Sequence, residues 1–195
     1  MSTQETAPAD PRPLRADARR NRERILAAAQ AEFAVSGGDA QMDAIAVRAG
    51  VGVGTVYRHF PTKGALVDQL IRTRFESFLD GARAALEVAD PWEAFAGMMR
   101  ANAEGCAADA GTQHIFLQAD ARAGPRLARE TGLSGLAQQV IDRGQAAGVI
   151  RADFSADDIG MILCGVASVI HFGDPSYDWR RHLGFVLDGL RAQPS

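Results

Sequence analysis

The stretch Gln41–Leu66 constrains the fold most, because it holds two short helical patterns joined by a single glycine. Ile45, Ala46 and Ala49 place small and branched apolar side chains on one face of the first pattern. Gly50 follows where the chain must leave a right-handed helix through a positive φ. The spacing therefore predicts two helices that cross closely at a tight turn, the helix-turn-helix arrangement.

The second helical pattern carries hydrogen-bonding groups and no carboxylate. There is no Asp or Glu from Gly52 to His59, so this face would not repel a phosphate backbone. Phosphates attract hydroxyls and cations, whereas base edges are read by groups that reach the floor of the major groove. We expect phosphate contacts from Thr55, Tyr57, His59 and Lys63, and base contacts from Val53, Gly54 and Arg58.

Lys63 is the only lysine in the chain, and every other fixed positive side chain is an arginine. It follows Thr62, which is placed as the N-cap of a third helix. An ammonium group at a helix start opposes the helix dipole, so the stability of that helix does not explain it. A phosphate close to Lys63 would explain it, and a merely solvated surface lysine is the alternative.

Positive charge is concentrated upstream of these helices. The segment 12–24 holds six arginines against two acids, in a chain whose formal net charge is -3. Such localised charge indicates a localised anionic partner. Residues 1–14 are rich in Pro, Ala and Thr without apolar periodicity, which predicts a disordered tail.

These motifs resemble the DNA-binding domain of the TetR family of bacterial transcriptional regulators, whose pattern runs roughly I-A-x-x-A-G-V-S-x-G-T-L-Y-x-H-F-x-S-K. The matching residues are Ile45, Ala46, Ala49, Gly50, Val51, Gly54, Thr55, Val56, Tyr57, His59, Phe60 and Lys63. Gly52 stands where the family commonly has Ser, and Gln41 where Thr or Ser usually caps the supporting helix. The resemblance implies that Arg15, Arg19 and Arg20 contact phosphates, although a solvated charged face explains each of them equally well.

The rest of the sequence is helical by pattern, so we expect an all-α fold. An N-terminal three-helix DNA-binding domain over residues 15–62 would join, through a long helix, a C-terminal effector-binding and dimerisation domain over residues 63–195. Helices are predicted at 18–36, 63–88, 91–107, 112–120, 126–147, 156–172 and 178–192.

The helix over 156–172 is apolar nearly all round, and the last helix carries a second apolar stripe. In the TetR family the last two long helices pair with their copies, and the resemblance implies the same four-helix dimer interface here. Burial within a single chain is the alternative. The predicted interface residues are Ile159, Ile162, Leu163, Val166, Ile170, Trp179, Leu183, Val186 and Leu190.

A pocket for a small hydrophobic or aromatic effector is implied mainly by the family resemblance, and ordinary core packing accounts for each of its residues as well. Its predicted residues are Phe78, Trp92, Phe95, Met98, Met99, Asn102, His114, Gln118 and His171. Cys106 and Cys164 form no C-x-x-C pair, so we expect buried thiols, no metal and no cofactor.

The sequence contains no apolar stretch of membrane length and no secretory signal ahead of the arginines, which predicts a cytoplasmic protein with no membrane partner. The function that we expect is that of a homodimeric repressor, bound to a near-palindromic operator in double-stranded DNA and released by a small-molecule effector. A DNA-binding regulator that only dimerises is the first alternative. A small helical enzyme with His114 or His171 as a base is a weaker one, because no catalytic motif supports it.

Overall fold

The computed structural model describes residues 11–109, 111–113, 115, 123–174 and 176–192. These residues form α-helices and one short 3-10 turn, Gly37–Asp39, with no strand, which confirms the all-α prediction. The helices are α1 Pro11–Ser36, α2 Met42–Ala49, α3 Val53–His59, α4 Lys63–Leu86, α5 Pro91–Ala108, α6 Ala123–Glu130, α7 Leu133–Ala146, α8 Ala156–Phe172 and α9 Trp179–Gly189. Within this part of the chain, no helix is long and apolar enough to cross a membrane.

Helix α1 begins at Pro11, earlier than the predicted start at Ala18. The predicted disordered tail is therefore wrong for residues 11–14, and residues 1–10 lie outside the described part. Two prolines in the first turn suggested disorder from the sequence. The first turn of a helix tolerates them, because its N–H groups have no partner inside the helix and the fixed φ of proline is already helical.

The turn between α2 and α3 has the predicted left-handed geometry. Gly50 adopts φ 64° and ψ 39°, and the N–H of Val51 donates to the carbonyl of Ala46 over 3.1 Å. This closure satisfies carbonyls at the end of α2 and redirects the chain into α3. Behind the turn, Ile45 and Val56 are fully buried, so the two helices are held at a fixed angle by packing.

Helix α4 contributes to two hydrophobic cores. Leu66 and Leu70 belong to a first core that α1, α2 and α3 complete, whereas Ala82 and Ala85 belong to a second core built with α5, α7, α8 and α9. Its start is fixed by Thr62, whose hydroxyl accepts from the N–H of Ala65 at 3.0 Å, as predicted. One helix of 24 residues thus runs from one core into the other.

The predicted helix over 126–147 is wrong as a single element. Gly132 adopts φ 79° and divides it into α6 and α7, because a left-handed residue cannot continue a right-handed helix. The helix over 156–172 is confirmed, and Ser155 and Asp158 form a capping box at its start. Residues 111–113 and 115 are helical, but the remainder of the predicted helix over 112–120 lies outside the described residues.

Helix α9 ends at Gly189, three residues before its predicted end. The chain then leaves the helix and Arg191 pairs with Ile150 in an isolated antiparallel bridge. The N–H of Arg151 donates to the carbonyl of Leu190 at 3.0 Å, and the N–H of Ala192 donates to the carbonyl of Val149 at 3.2 Å. These hydrogen bonds, which depend on residues distant in sequence, replace the last helical turn.

Replacing Gly50 with valine should destabilise the fold by about 1–3 kcal/mol, because a β-branched residue is strained at positive φ. A Cβ atom at this position would also lie 2.7 Å from Nη2 of Arg24. Urea unfolding followed by circular dichroism measures the change. Gly52→Val is the matched control, since Gly52 has φ -68° and a Cβ there meets no described atom within 4 Å. Equal stability of the two variants would contradict the assigned turn.

Candidate DNA-binding interface

The outward face of α3 is exposed and free of acids. Val56 is turned into the first core, whereas Val53 and Tyr57 are 41% and 47% exposed and both Gly54 and Arg58 lie at the surface. The predicted base-contacting residues are therefore brought together on one accessible side of one helix. Thr55 and His59, predicted to contact phosphates, are half-buried at its margins. This face can enter a groove without electrostatic repulsion from carboxylates of its own helix.

The side chain of Arg58 lies back along α3. Its Nε donates to the carbonyl of Gly54 at 3.1 Å and its Nη2 donates to Oγ1 of Thr55 at 2.9 Å. Both contacts are exposed and lie within one helix, so exchanging them for acceptors on DNA leaves no buried group unpaired. The guanidinium therefore lies on the face of α3 from which it would contact DNA bases.

Lys63 has structural contacts that the sequence did not indicate. Its Nζ donates to the carbonyl of Gly38 and lies 5.7 Å from the ring centre of Phe33. The ammonium group therefore ties the start of α4 to the turn that follows α1. The dipole of α4 gives no sign of these contacts, because the lysine makes them with another part of the chain. A phosphate contact by Lys63 stays a prediction. With Tyr57 and Thr62 it lines a cleft whose other wall is the start of α2.

The arginines of α1 fall into two groups with different contacts. Arg22 lies 5.5 Å above the ring of Phe60, and Nη2 of Arg24 donates to the carbonyl of Gly50 at 3.2 Å, so both brace the helix-turn-helix. Arg19 and Arg20 are exposed, and within the described part of the chain they pair with acids of their own helix: Arg19 lies 3.8 Å from Glu23, and Arg20 pairs with Asp17. Such exposed pairs contribute little and exchange readily for a phosphate. Of Arg15, only the backbone is described.

Several predicted pocket residues are ordinary members of the second core. Trp92, Phe95, Met98 and Met99 are buried there, the last three at 4% exposure or less. Asn102 is 8% exposed, and Nε2 of His171 lies 3.1 Å from the carbonyl of Cys106. Phe78 is half-buried and packs edge-on against Phe75. His114 and Gln118 lie outside the described residues.

A cleft of about 200 Å³ lies between α5 and α9, and of the predicted pocket residues that the structure describes, Trp92 alone lines it. The Arg191 guanidinium covers the Trp92 ring at 3.9 Å from its centre, and Arg180 forms two hydrogen bonds with Glu104 of 2.8 and 2.9 Å. The charged side chains that line the cleft are therefore largely paired with groups of the same chain. The spacing of residues along α5 could not predict this cleft, because the other wall of the cleft is formed by α9 and Arg191, which are distant in sequence.

The predicted dimer interface needs correction for three residues. Val166, Leu183 and Leu190 are at most 7% exposed and belong to the second core, so they present no accessible surface to a partner. The remaining predicted interface residues pack partly against the same core: Ile159, Ile162, Leu163, Ile170, Trp179 and Val186. The apolar stripe of each helix therefore faces the second core only in part, and these six half-buried residues keep accessible surface.

Two large apolar side chains on the same helices face outward instead. Met161 on α8 is 71% exposed and Phe185 on α9 is 62% exposed. They sit off the apolar stripes, on the opposite side of each helix, which is why periodicity did not select them. In the sequence, the signal for these two residues is a large apolar side chain on the otherwise polar side of each helix.

A largely buried ion pair between α4 and the residue that follows α5 was also missed. Nη2 of Arg74 lies 3.1 Å from Oδ2 of Asp109, and Nε2 of Gln30 donates to the same oxygen at 2.8 Å. The spacing of Leu70, Arg74 and Phe78 along one side of α4 could have indicated an arginine on a buried face.

The two cysteines agree with the expected thiols only in part. Cys106 is buried and Cys164 is half-buried. Burial raises the pKa of the Cys106 thiol, and the nearby Arg74 opposes this rise; burial also raises the pKa of Cys164. Both groups are therefore neutral thiols at neutral pH, which disfavours reaction as a thiolate. The described residues contain no cluster of three or more metal-ligating side chains.

The chain matches two protein-family profiles. Residues 25–70 match that of the bacterial regulatory proteins of the tetR family, and residues 90–192 match that of the C-terminal domain of SbtR-like transcriptional regulators. A search among curated protein sequences gave no match.

Solved structures give the same result. A TetR regulator from Streptomyces coelicolor is 33% identical with a TM-score of 0.62, covering 89% of this chain and 99% of its own. One from Mycobacterium vanbaalenii is 36% identical with a TM-score of 0.59, covering 92% and 99%. FadR of Bacillus subtilis, solved with stearoyl-CoA, is 20% identical and shares the fold, with a TM-score of 0.69 over 85% and 95%. By the profile matches and the first two relatives, the chain belongs to the TetR family of bacterial transcriptional regulators.

Proposed function

We propose that this regulator is a homodimeric repressor that occupies a near-palindromic operator and is released by a small-molecule effector. The observation that carries the DNA-binding part is the acid-free, solvent-exposed face of α3, held outward by the burial of Val56 and by the left-handed turn at Gly50. Within a helix-turn-helix, the second helix is the one that enters the major groove.

The contacts with DNA divide into positioning and reading. Lys63, Tyr57, His59 and Thr55 would hold phosphates, with Arg15, Arg19 and Arg20 of α1 adding charge from the side. Arg58, Val53 and Gly54 would face base edges. The unhindered surface at Gly54 supports this assignment, because a Cβ there meets no described atom within 4 Å and glycine allows close approach of the backbone.

Dimerisation would bring two such faces onto one duplex. We place the interface on α8 and α9, where the six half-buried residues of the predicted stripes and the exposed Met161 and Phe185 offer apolar surface to a partner. Both side chains are more than 60% exposed, so covering them in a dimer would remove apolar surface from water. Two-fold symmetry would then set the α3 helices about 34–36 Å apart, one helical turn of DNA.

Release by an effector requires that the effector bind the DNA-incompetent arrangement more tightly. Helix α4 supports such coupling, because it lies in both cores and would carry displacement from one to the other. FadR of B. subtilis, which has the same fold, was solved in complex with stearoyl-CoA, and this supports a small-molecule effector for the present chain. A regulator that only dimerises is the alternative. Membership of a family of regulators that are not enzymes sets aside catalysis by His114 or His171.

Selection of bound duplexes from a random pool tests the proposal directly. The recovered sites should be inverted repeats whose half-sites are spaced by about one turn of DNA, roughly 10–10.5 base pairs. Recovery of single, unpaired half-sites would contradict the dimeric arrangement, and recovery of no enriched sequence would contradict specific DNA reading. The enriched duplex then serves in the variant experiments below.

The variant Gly54→Ala tests whether the glycine is needed for the fold or for close approach of α3 to DNA. Because Gly54 is helical and its surroundings are open, alanine should stabilise the fold by about 0.5–1 kcal/mol. The added methyl group should nevertheless weaken binding to the selected duplex about tenfold or more, as measured by fluorescence anisotropy. Unaltered DNA affinity in this variant would show that α3 does not approach the duplex at this point.

Arg58→Ala and Lys63→Ala should weaken DNA binding in different ways. Loss of Arg58 should weaken the free energy of DNA binding by about 1–3 kcal/mol and relax base preference within the half-site. Loss of Lys63 should weaken binding to all sequences alike and reduce the salt dependence by about one counterion. Lys63→Met is the matched control, because it keeps an unbranched side chain of similar length and removes the ammonium group, which lies near the Phe33 ring. Unchanged sequence preference in Arg58→Ala would refute its base-reading role.

Phe185→Asp combined with Met161→Asp should dissociate the dimer. A two-fold interface loses each contact twice, so the dissociation constant should rise by at least about 30-fold. Sedimentation equilibrium measures this rise. Val35→Asp is the control, because Val35 is 77% exposed but lies on α1, remote from these helices. A dimer that survives the double substitution with its affinity intact would place the interface elsewhere.

A further inference from the structure

Val53 is an exposed apolar residue at the start of α3, the proposed reading helix. It is the first residue of that helix, it is 41% exposed, and it packs in neither of the two cores that the described residues form. Its neighbours Gly52 and Gly54 are exposed as well, and a Cβ atom at either position would meet no described atom within 4 Å. The two methyl groups of Val53 therefore protrude from an otherwise bare stretch of backbone.

The first turn of α3 offers no hydrogen-bonding side chain ahead of Thr55. Gly52, Val53 and Gly54 carry no such group. The Thr55 side chain is half-buried at the margin of the helix, and its Oγ1 already accepts from Nη2 of Arg58 at 2.9 Å. At this end of the helix, selection among base pairs by a side chain therefore depends on the methyl groups of Val53.

The major groove presents one apolar group, the C5-methyl of thymine, and its other distinguishing groups are hydrogen-bond donors and acceptors. A valine placed against a donor or an acceptor takes water from that group and returns no hydrogen bond, which is unfavourable. A valine placed against a thymine methyl removes the apolar surface of both from water. Because the N-terminal residues of a recognition helix are the ones that contact base edges, thymine is the base that suits Val53.

The fold itself gives no reason for a valine at this position. A β-branched residue is a weaker helix former than alanine, and an exposed position returns little packing energy in exchange. Tyr57 follows four positions later and is 47% exposed, so it lies on the same side of α3. The phosphate contact assigned to Tyr57 above would hold this side of the helix close to the bases.

We propose that Val53 is a specificity-determining residue, which selects a thymine in each half-site by apolar contact with the C5-methyl group. This inference rests on the proposed function, in which α3 enters the major groove, and it names the base chemistry that the start of α3 recognises. Arg58 would read a different base pair through hydrogen bonds. The two residues therefore contribute two separable kinds of specificity.

The test uses the full chain and the selected duplex, with each thymine of one half-site replaced in turn by deoxyuridine. Deoxyuridine pairs with adenine as thymine does and lacks only the methyl group. For the unaltered chain, one of these replacements should weaken binding about three- to fivefold, the loss expected when one methyl group is no longer buried. Fluorescence anisotropy measures the affinities.

Val53→Ala should bind the thymine duplex and the corresponding deoxyuridine duplex equally well. Alanine favours a helix, so this variant should keep its fold. Val53→Ile retains the branched methyl groups and should retain the deoxyuridine penalty. Val47→Ala is the matched control, because Val47 is an 82% exposed valine on the supporting helix α2. It should change neither the affinity nor the penalty.

The inference is overturned if the selected half-site contains no preferred thymine, if no deoxyuridine replacement weakens binding, or if Val53→Ala keeps the full penalty at every thymine. Failure of the proposed function gives a different result, in which no duplex is enriched and both proposals fall. A chain that reads its duplex through Arg58 and ignores every thymine methyl keeps the proposed function and refutes this inference alone.

Discussion

The left-handed turn at Gly50 sets the angle between α2 and α3, and the orientation of the reading surface depends on that angle. With φ at 64°, the chain ends α2 and begins α3 within three residues while Val56 and Ile45 pack behind the turn. The same backbone angle is strained for residues that carry a Cβ atom. Arg24 adds a donor to the Gly50 carbonyl from α1. Local conformation, core packing and one long-range hydrogen bond therefore fix a single arrangement, which turns the acid-free side of α3 to solvent.

Helix α4 links this arrangement to the remainder of the chain. It contributes Leu66 and Leu70 to one core and Ala82 and Ala85 to the other, and packed cores transmit displacement because they deform little. A second connection runs from Arg74 through Asp109 to Gln30, so that α1 and α4 are both held by one carboxylate. Displacement of α1 or α4 would therefore shift the helices that support the helix-turn-helix. Effector-driven release from DNA requires such a shift.

The sequence predicted those features that short-range physics determines. The Gly50 turn and the Thr62 cap depend on residues that are close together in the sequence, and both are confirmed. Contacts over long sequence separation were not predictable. The break at Gly132 was missed because an isolated glycine is also tolerated inside a helix. The stripes containing Val166 and Leu183 were assigned to a partner, since apolar periodicity identifies a buried face without showing whether it is buried by the same chain or by another.

The central claim is that the exposed side of α3 enters a groove of duplex DNA, and the salt dependence of binding measures it most directly. For the purified, folded dimer and a selected duplex, the logarithm of the binding constant should fall linearly with the logarithm of the salt concentration. The slope, at about 0.9 per phosphate contacted, should correspond to several contacts. A folded dimer that binds no duplex at low ionic strength, or binds one with no dependence on salt, would contradict the account.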